Sequence, residues 1–173
     1  MRAFVSHIMP QRLGCRYDAT HTILLRRPNS GWVTLGTKMT IDGVAMTIKV
    51  GVVMDPIATI NFKKDTTLAL MHAAQERGCE LFYMEQADLS IQNGRTMGRM
   101  APISVAMNPD NWFSLGEWQE QPLANLNIIL MRKDPPFDSE FIYSTYILER
   151  AEQEGVLVAN KPQSLRDCNE KLF

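Results

Sequence analysis

Residues 48–84 read IKVGVVMDPIATINFKKDTTLALMHAAQERGCELFYM, and this segment contains two strand patterns on either side of a helix pattern. Residues 48–54 are apolar and rich in valine, which is typical of a buried β-strand. Asp65 is an expected N-cap for the helix, and Gly78 suits the left-handed position that ends one. A second apolar strand is predicted over residues 80–84. Strand, helix and strand in this order predict two parallel strands joined by a helical crossover.

The same alternation returns in the last third of the chain. A short apolar strand is predicted over residues 127–131, and Asp138 can cap a helix over residues 139–154. Another strand is predicted over residues 156–159, and Pro162 suits the first position of a final helix. We therefore expect an α/β fold with three layers, in which a mostly parallel sheet carries helices on both faces.

The middle of the chain, residues 86–122, has a less regular pattern. The Asn-Gly pair at 93–94 is a strong hairpin signal, and Ile103 and Val105 suit a returning strand. Residues 111–118 are expected to form a short helix or a loop.

Charge divides the chain near Met46. Residues 1–46 contain six basic and two acidic residues, a net charge of +4, whereas the remainder contains 12 and 17, a net charge of −5. The first segment also shows little periodicity. An organelle transit peptide would have this Arg-rich composition, and a tail with no packed role is the alternative that we favour. We expect a poorly structured extension over residues 1–45 and one domain over residues 46–173.

The overall composition argues against several classes of partner. Of the 173 residues, 45% are hydrophobic and 21% are charged, and the net charge is −1. These values are typical of a globular protein and give no reason to expect nucleic acid or a membrane as a partner. The three cysteines form no C-x-x-C pair and suit a reducing cytoplasm, and the three histidines are not spaced as metal ligands.

Polar residues follow three of the predicted parallel strands. Asp55 follows the first, Arg132 and Lys133 follow the third, and Asn160 follows the fourth. Because ligands bind beyond the carboxyl ends of strands in open parallel sheets, these residues are candidates for a site that attracts carboxylates or phosphates. Solvated loops at the strand ends are the alternative. The sequence contains no P-loop, no G-x-G-x-x-G fingerprint and no Ser-His-Asp pattern, so no catalytic residue and no metal ligand is assigned.

Four short motifs resemble bacterial-type glutathione synthetases. Near the start of the domain they are MDPI at residues 54–57 and, after Asn61, KKD at residues 63–65. Further on they are LMRKDPPFDSEFIYSTYILERAE at residues 130–152 and NKPQSLRDCNEKLF at residues 160–173. The resemblance covers about residues 46–173 and leaves out the extension before them.

The resemblance implies the pre-ATP-grasp, Rossmann-like fold found in the N-terminal domains of carboxylate–amine ligases. It also implies the family reaction, in which ATP and magnesium drive the ligation of γ-glutamylcysteine to glycine in glutathione biosynthesis. Full-length enzymes of this family are expected to be cytoplasmic homo-oligomers. The chain stops before the family's ATP-grasp region, so we expect it to be inactive alone and not to bind ATP or magnesium by itself.

The resemblance further implies roles for individual residues. Those expected nearest the dipeptide are Asp55, Asn61, Arg132, Lys133 and Asn160, and the one expected to approach nucleotide phosphate is Lys171. A non-catalytic module, which binds a small anionic peptide or a partner subunit or promotes oligomerisation, is the alternative function. A flavodoxin-like phosphate-binding domain is a third interpretation, although the glycine-rich loop that it would favour is absent.

Overall fold

The chain divides into two units, which are described separately. The computed structural model describes residues 15–17, 23–27, 30–35, 39–41, 44–134 and 136–168. The two units are Met1–Met46 and Thr47–Phe173.

Short antiparallel strands make up the described part of the first unit. In sequence order β1 (Cys15–Tyr17), β2 (Ile23–Arg27) and β3 (Ser30–Leu35) form one sheet, and β4 (Met39–Ile41) pairs with β5 (Val44–Met46). The expectation that this part of the chain is a poorly structured extension stays a prediction.

The second unit contains both strands and helices. No helix in the described residues has the length and apolar character needed to span a membrane. The strands and α-helices, in chain order, are β6 (Lys49–Val53), α1 (Thr66–Glu76), β7 (Glu80–Met84), β8 (Leu89–Gln92), β9 (Arg95–Val105), β10 (Phe113–Leu115), β11 (Gln119–Pro122), β12 (Ile128–Met131), α2 (Ser139–Gln153), β13 (Leu157–Ala159) and α3 (Pro162–Asp167).

These strands form one eight-stranded sheet in the order β10-β9-β7-β6-β12-β13, with β8 and β11 also paired to β9. Four adjacent strands, β7, β6, β12 and β13, run parallel to one another. Strand β9 is antiparallel to β7, and β8, β10 and β11 are antiparallel to β9. The predicted strands near residues 48 and 127 therefore lie in the same sheet, side by side.

The prediction of a short helix or a loop over residues 111–118 is wrong in part: residues 111–112 and 116–118 lie in loops, but residues 113–115 do not. Residues 113–115 form the strand β10 and not part of a helix or an unpaired loop, because β9 extends to Val105 and offers a free edge to them. The Gly116 amide donates to the Pro102 carbonyl at 2.8 Å and continues the pairing. A strand of three residues has no periodicity of its own, so the sequence pattern could not reveal it.

Helices cover both faces of the parallel strands. Successive strand residues point to opposite faces. Val52 belongs to a buried cluster with Leu68 and Met71 of α1, whereas its neighbour Val53 belongs to a second buried cluster with Leu148 of α2. The prediction of a three-layer, Rossmann-like α/β fold is confirmed.

The predicted helix ends are confirmed by their capping geometry. Asp65 accepts a hydrogen bond from the Leu68 amide at 2.7 Å, and Asp138 accepts one from the Phe141 amide at 2.9 Å. Gly78 follows α1 with a φ of 75°, a conformation that costs a residue without a Cβ very little. The two aspartate N-caps fix the first turns of α1 and α2 at the carboxyl edge of the sheet.

The turn between β8 and β9 is tied to the end of α2. Asn93 and Gly94 have φ values of 50° and 77°, as the Asn-Gly pair predicted for a hairpin turn. The fully buried Thr96 donates its hydroxyl to the Glu154 carboxylate at 2.6 Å, and its amide donates to the same group. Arg150 donates to the Gly94 carbonyl at 2.7 Å. The antiparallel edge is thus attached to a helix of the parallel half.

We expect Leu148→Ala to lower the free energy of unfolding by about 2–5 kcal/mol, because it removes a fully packed side chain and leaves a cavity. Leu148 is 0% exposed, whereas Leu157 is 61% exposed. Leu157→Ala is the matched control and should change stability by no more than about 0.5 kcal/mol. Denaturant unfolding followed by far-ultraviolet circular dichroism measures both; equal losses would contradict the described core.

Candidate functional site

A cavity of about 380 Å³ opens at the carboxyl edge of the sheet, between the ends of β6 and β12 and the start of α1. It brings together three of the residues expected near the substrate, Asp55, Asn61 and Arg132. Lys64, Asp134 and both residues of the Thr66-Thr67 pair also line it. A site at this edge agrees with the rule for open parallel sheets.

Arg132 is positioned by the sheet and by α1. Its amide donates to the Val53 carbonyl at 2.7 Å, which continues the β6–β12 pairing by one residue. Its guanidinium reaches across to the first turn of α1, where Nε lies 3.1 Å from Thr67 Oγ1 and Nη2 lies 2.9 Å from Thr66 Oγ1. Within the described residues, no carboxylate lies within ion-pair distance of Arg132. Arg132 therefore lines the cavity without an ion-pair partner among the described residues, and three carboxylates, those of Asp55, Asp65 and Asp134, line the same cavity beyond ion-pair distance of it.

Lys133 has a different environment from its neighbour. Its Nζ lies 2.8 Å from Asp55 Oδ1 and donates to the Asp134 carbonyl at 2.7 Å. The other oxygen of Asp55 accepts the Asp134 amide at 3.0 Å. Asp55 thus ties the segment after β12 to the end of β6, and the charge of Lys133 is already compensated.

Asn61 shapes the turn that leads into α1. Its carbonyl accepts the amides of Lys64 and Asp65, both at 2.9 Å, and its Oδ1 accepts the Lys63 amide at 3.2 Å. These bonds use the acceptors of Asn61, and no acceptor among the described residues binds its side-chain amide hydrogens. The residue is therefore both a turn former and a candidate donor to a ligand.

Lys133 and Asn160, two of the residues expected near the substrate, are not among those that line the cavity. Asn160 follows β13, which is separated from β6 by β12, and its side chain is exposed. The crossover from β12 to β13 runs through α2, on the sheet face opposite α1. Lys171 lies outside the described residues, so its expected approach to nucleotide stays a prediction.

The sequence analysis missed Thr66 and Thr67 as site residues. Both directly follow the N-cap Asp65, and a helix that follows a parallel strand begins at the carboxyl edge of the sheet. This was the signal that could have identified them. In the described residues, no group of three or more His, Cys, Asp or Glu side chains is arranged to hold a metal ion.

Hydrogen bonds around the buried Tyr83 support the loop that forms one wall of the cavity. The Tyr83 hydroxyl accepts the Ile57 amide at 3.2 Å and donates to Glu85 Oε1 at 2.7 Å. The indole of Trp112 donates to the Ile57 carbonyl at 3.2 Å. Burial, and then the hydrogen bond to Glu85, raise the pKa of Tyr83 well above its ordinary value.

Residues 48–166 match the family model described as the prokaryotic glutathione synthetase N-terminal domain. The chain belongs to the prokaryotic glutathione synthetase family. The matched residues cover every strand and helix from β6 to β13, so the cavity lies wholly within this glutathione synthetase domain. The resemblance found in the sequence is confirmed.

Several glutathione synthetases are similar to this chain. The glutathione synthetase of Shewanella oneidensis is 64% identical over 126 residues, which are 73% of this chain and 40% of that protein. The glutathione synthetase of Pseudomonas putida is 62% identical over 128 residues, 74% of this chain and 40% of that protein. The one from Salmonella typhimurium is 64% identical over 126 residues, with 73% and 40% covered. The chain thus spans about 40% of the length of these curated relatives.

We expect Tyr83→Phe to destabilise this glutathione synthetase domain by about 1–3 kcal/mol at neutral pH, because the Ile57 amide loses its buried acceptor. The folded-state pKa of Tyr83 is raised, so its contribution is fully present below pH about 10 and is lost as the pH rises further. The variant should therefore show a weaker loss of stability in the alkaline range. Unfolding free energies measured from neutral to strongly alkaline pH test this.

A matched control for that experiment is Tyr143→Phe, since Tyr143 is 65% exposed. Its unfolding free energy and alkaline profile should follow those of the unaltered chain. If Tyr83→Phe also left both unchanged, the hydroxyl would have no part in supporting the cavity wall.

Proposed function

We propose that this chain forms the dipeptide-side part of an enzyme that ligates γ-glutamylcysteine to glycine with ATP, a carboxylate–amine ligase of glutathione biosynthesis. The observation that carries the proposal is Arg132: a guanidinium held at the carboxyl edge of a glutathione synthetase domain, in a cavity, with no acidic partner among the described residues. Such a group is suited to a carboxylate.

The chemistry of the dipeptide fits the lining of the cavity. γ-Glutamylcysteine carries two carboxylates and one ammonium group. Arg132 would bind a carboxylate through two parallel hydrogen bonds, and the amide of Asn61 would donate to a carbonyl or carboxylate oxygen. Asp55 supplies negative charge at the same edge for an ammonium group, although its two oxygens already bond to Lys133 and to the Asp134 amide. Arg132 and Asn61 are therefore the primary contacts in this proposal.

The remaining expected residues have more distant roles in the proposal. Lys133 holds the segment after β12 through its ion pair with Asp55. It would have to break this ion pair to contact the ligand. Asn160 would contact substrate farther along the same edge of the sheet, beyond β12. Lys171 would approach a nucleotide phosphate.

The rest of the reaction is assigned to the part of the enzyme that the relatives have beyond this domain. There ATP would transfer its γ-phosphoryl group to the cysteinyl carboxylate, with magnesium balancing the phosphate charge. The glycine amine would then attack the acyl phosphate, form the peptide bond and release phosphate. A cytoplasmic homo-oligomer is the assembly that we propose for the complete enzyme.

The 173-residue chain alone should form no glutathione from γ-glutamylcysteine, glycine, ATP and magnesium. Joined at the end of its matched segment to the remainder of the Shewanella oneidensis relative, it should form glutathione at a readily measured rate. Purification from a host that lacks glutathione synthetase removes the background. An inactive fusion that still binds the dipeptide would favour the alternative of a non-catalytic binding module.

Arg132→Lys in the active fusion should raise the KM for γ-glutamylcysteine about ten- to a hundredfold, because lysine cannot reproduce a planar fork and charge-assisted hydrogen bonds are worth about 1.5–3 kcal/mol. The KM for ATP should change much less. Arg99→Lys is the matched control, since Arg99 does not line the cavity. An unchanged KM for the dipeptide together with a lowered Tm would assign Arg132 to structure alone.

A further inference from the structure

The two acceptors of the Arg132 guanidinium are both neutral hydroxyl groups. Thr67, which accepts from Nε, is 4% exposed, and Thr66, which accepts from Nη2, is exposed. Both sit in the first turn of α1, whose backbone is fixed by the Asp65 cap. The guanidinium is therefore hydrogen-bonded to the capped first turn of a helix and not to a loop.

The geometry of these two bonds leaves a complete binding edge on the guanidinium. Its five N–H groups lie in one plane, and Nε–H and one Nη2–H point to the same side. The Thr66-Thr67 pair occupies that side. Nη1–H and the second Nη2–H form the other parallel pair, and Nη1 has no hydrogen-bond acceptor among the described residues. A parallel pair of this kind matches the two oxygens of a carboxylate.

Neutral acceptors orient a cation without cancelling its charge. The same chain provides two contrasts: the ammonium of Lys133 is paired with Asp55, and Arg166 donates to Thr145 Oγ1 at 3.1 Å and also to Glu149 Oε2 at 2.7 Å. Arg166 packs α3 onto α2, and there a carboxylate compensates the charge. Arg132 has a second threonine where Arg166 has a carboxylate.

We propose that Thr66 and Thr67 are positioning residues for substrate binding: their hydroxyls hold the Arg132 guanidinium before the ligand arrives and turn its free Nη1/Nη2 edge toward a substrate carboxylate. This inference rests on the proposed function, since it takes Arg132 as the contact to the dipeptide. Without the hydroxyls, the long side chain would have to be ordered when the ligand binds, and the ordering of one such side chain weakens binding by about tenfold at most.

The test uses the 173-residue chain and γ-glutamylcysteine as the probe. The Arg132 Nε–H resonance is assigned through its loss in Arg132→Gln and is then followed by NMR, first without ligand and then during titration. The informative variants are Thr66→Val/Thr67→Val, which removes both acceptors with little change in shape, and Thr66→Ser/Thr67→Ser, which keeps both. Thr145→Val is the matched control, because it removes an arginine–threonine bond far from the cavity.

Without ligand, the Nε–H proton should exchange with solvent faster in the valine pair and slowly in the serine pair and in Thr145→Val. With ligand, the Kd should rise about two- to tenfold in the valine pair and return close to its original value in the serine pair. Thr145→Val should lower the Tm and leave the Kd unchanged. Because Thr66 is exposed, Thr66→Val alone carries the test if the double valine variant does not fold.

Two results would overturn the inference, and they differ in what they say of the proposed function. An unchanged Kd in the folded valine variants, when Arg132→Gln abolishes binding, would refute positioning by the threonines and leave Arg132 as the substrate contact. An unchanged Kd in Arg132→Gln, or no effect of the dipeptide on the unaltered chain, would refute the assignment of Arg132 and with it the role of the threonines.

Discussion

Strands β6 and β12 run parallel with Val53 level with Met131, so both segments leave the sheet at the same height. The Arg132 amide extends this pairing by one hydrogen bond to the Val53 carbonyl. The residues that follow the two strands must then meet, and Asp55 does so through its bonds to Lys133 and the Asp134 amide. A shift of one residue in this register would turn Arg132 to the opposite face, away from α1 and the cavity.

Charge compensation distinguishes the two cations that follow β12. Lys133 and Asp55 form a partly buried pair that joins two strand ends, and such a pair uses its charges on each other. Arg132 donates to two neutral hydroxyl groups and has no carboxylate within ion-pair distance among the described residues. Lys133 thus joins two strand ends, whereas its neighbour Arg132 is the candidate contact to a ligand. The sequence around these two residues does not reveal that difference.

Sequence patterns within single helices and strands predicted most of the parallel part of the sheet and its helices. The elements that they did not predict depend on contacts between segments that are distant in the chain. Asp65, Asp138 and Gly78 act within one turn of their own helices, so their effect can be read from the sequence. The strand at residues 113–115 forms only because β9 is long enough to pair with it, which requires the fold to be known.

The candidate site shows the same limit. Asp55 and Arg132 were found because each directly follows an apolar strand, and the parallel sheet then brings them together. The pairing of Asp55 with Lys133 spans 78 positions in sequence and depends on the register of two strands. Asn160 follows a strand by the same rule, yet it lies two strands from β6, so a shared edge does not ensure a shared cavity.

The hydrogen bond that Thr96 donates to Glu154 and the one that Arg150 donates to the Gly94 carbonyl also bear on how the domain opens. Strand β8 and the tip of the β8–β9 hairpin lie in the antiparallel part of the sheet, and a hairpin end would normally fray by itself and exchange its amide hydrogens readily. The part-buried hydroxyl–carboxylate bond joins the hairpin to Glu154, the C-cap residue of α2, so the hairpin cannot open without losing its link to that helix end. Opening of the hairpin is thereby coupled to opening of the helix, and the two should behave as one cooperative unit in hydrogen exchange even though they are far apart in the chain.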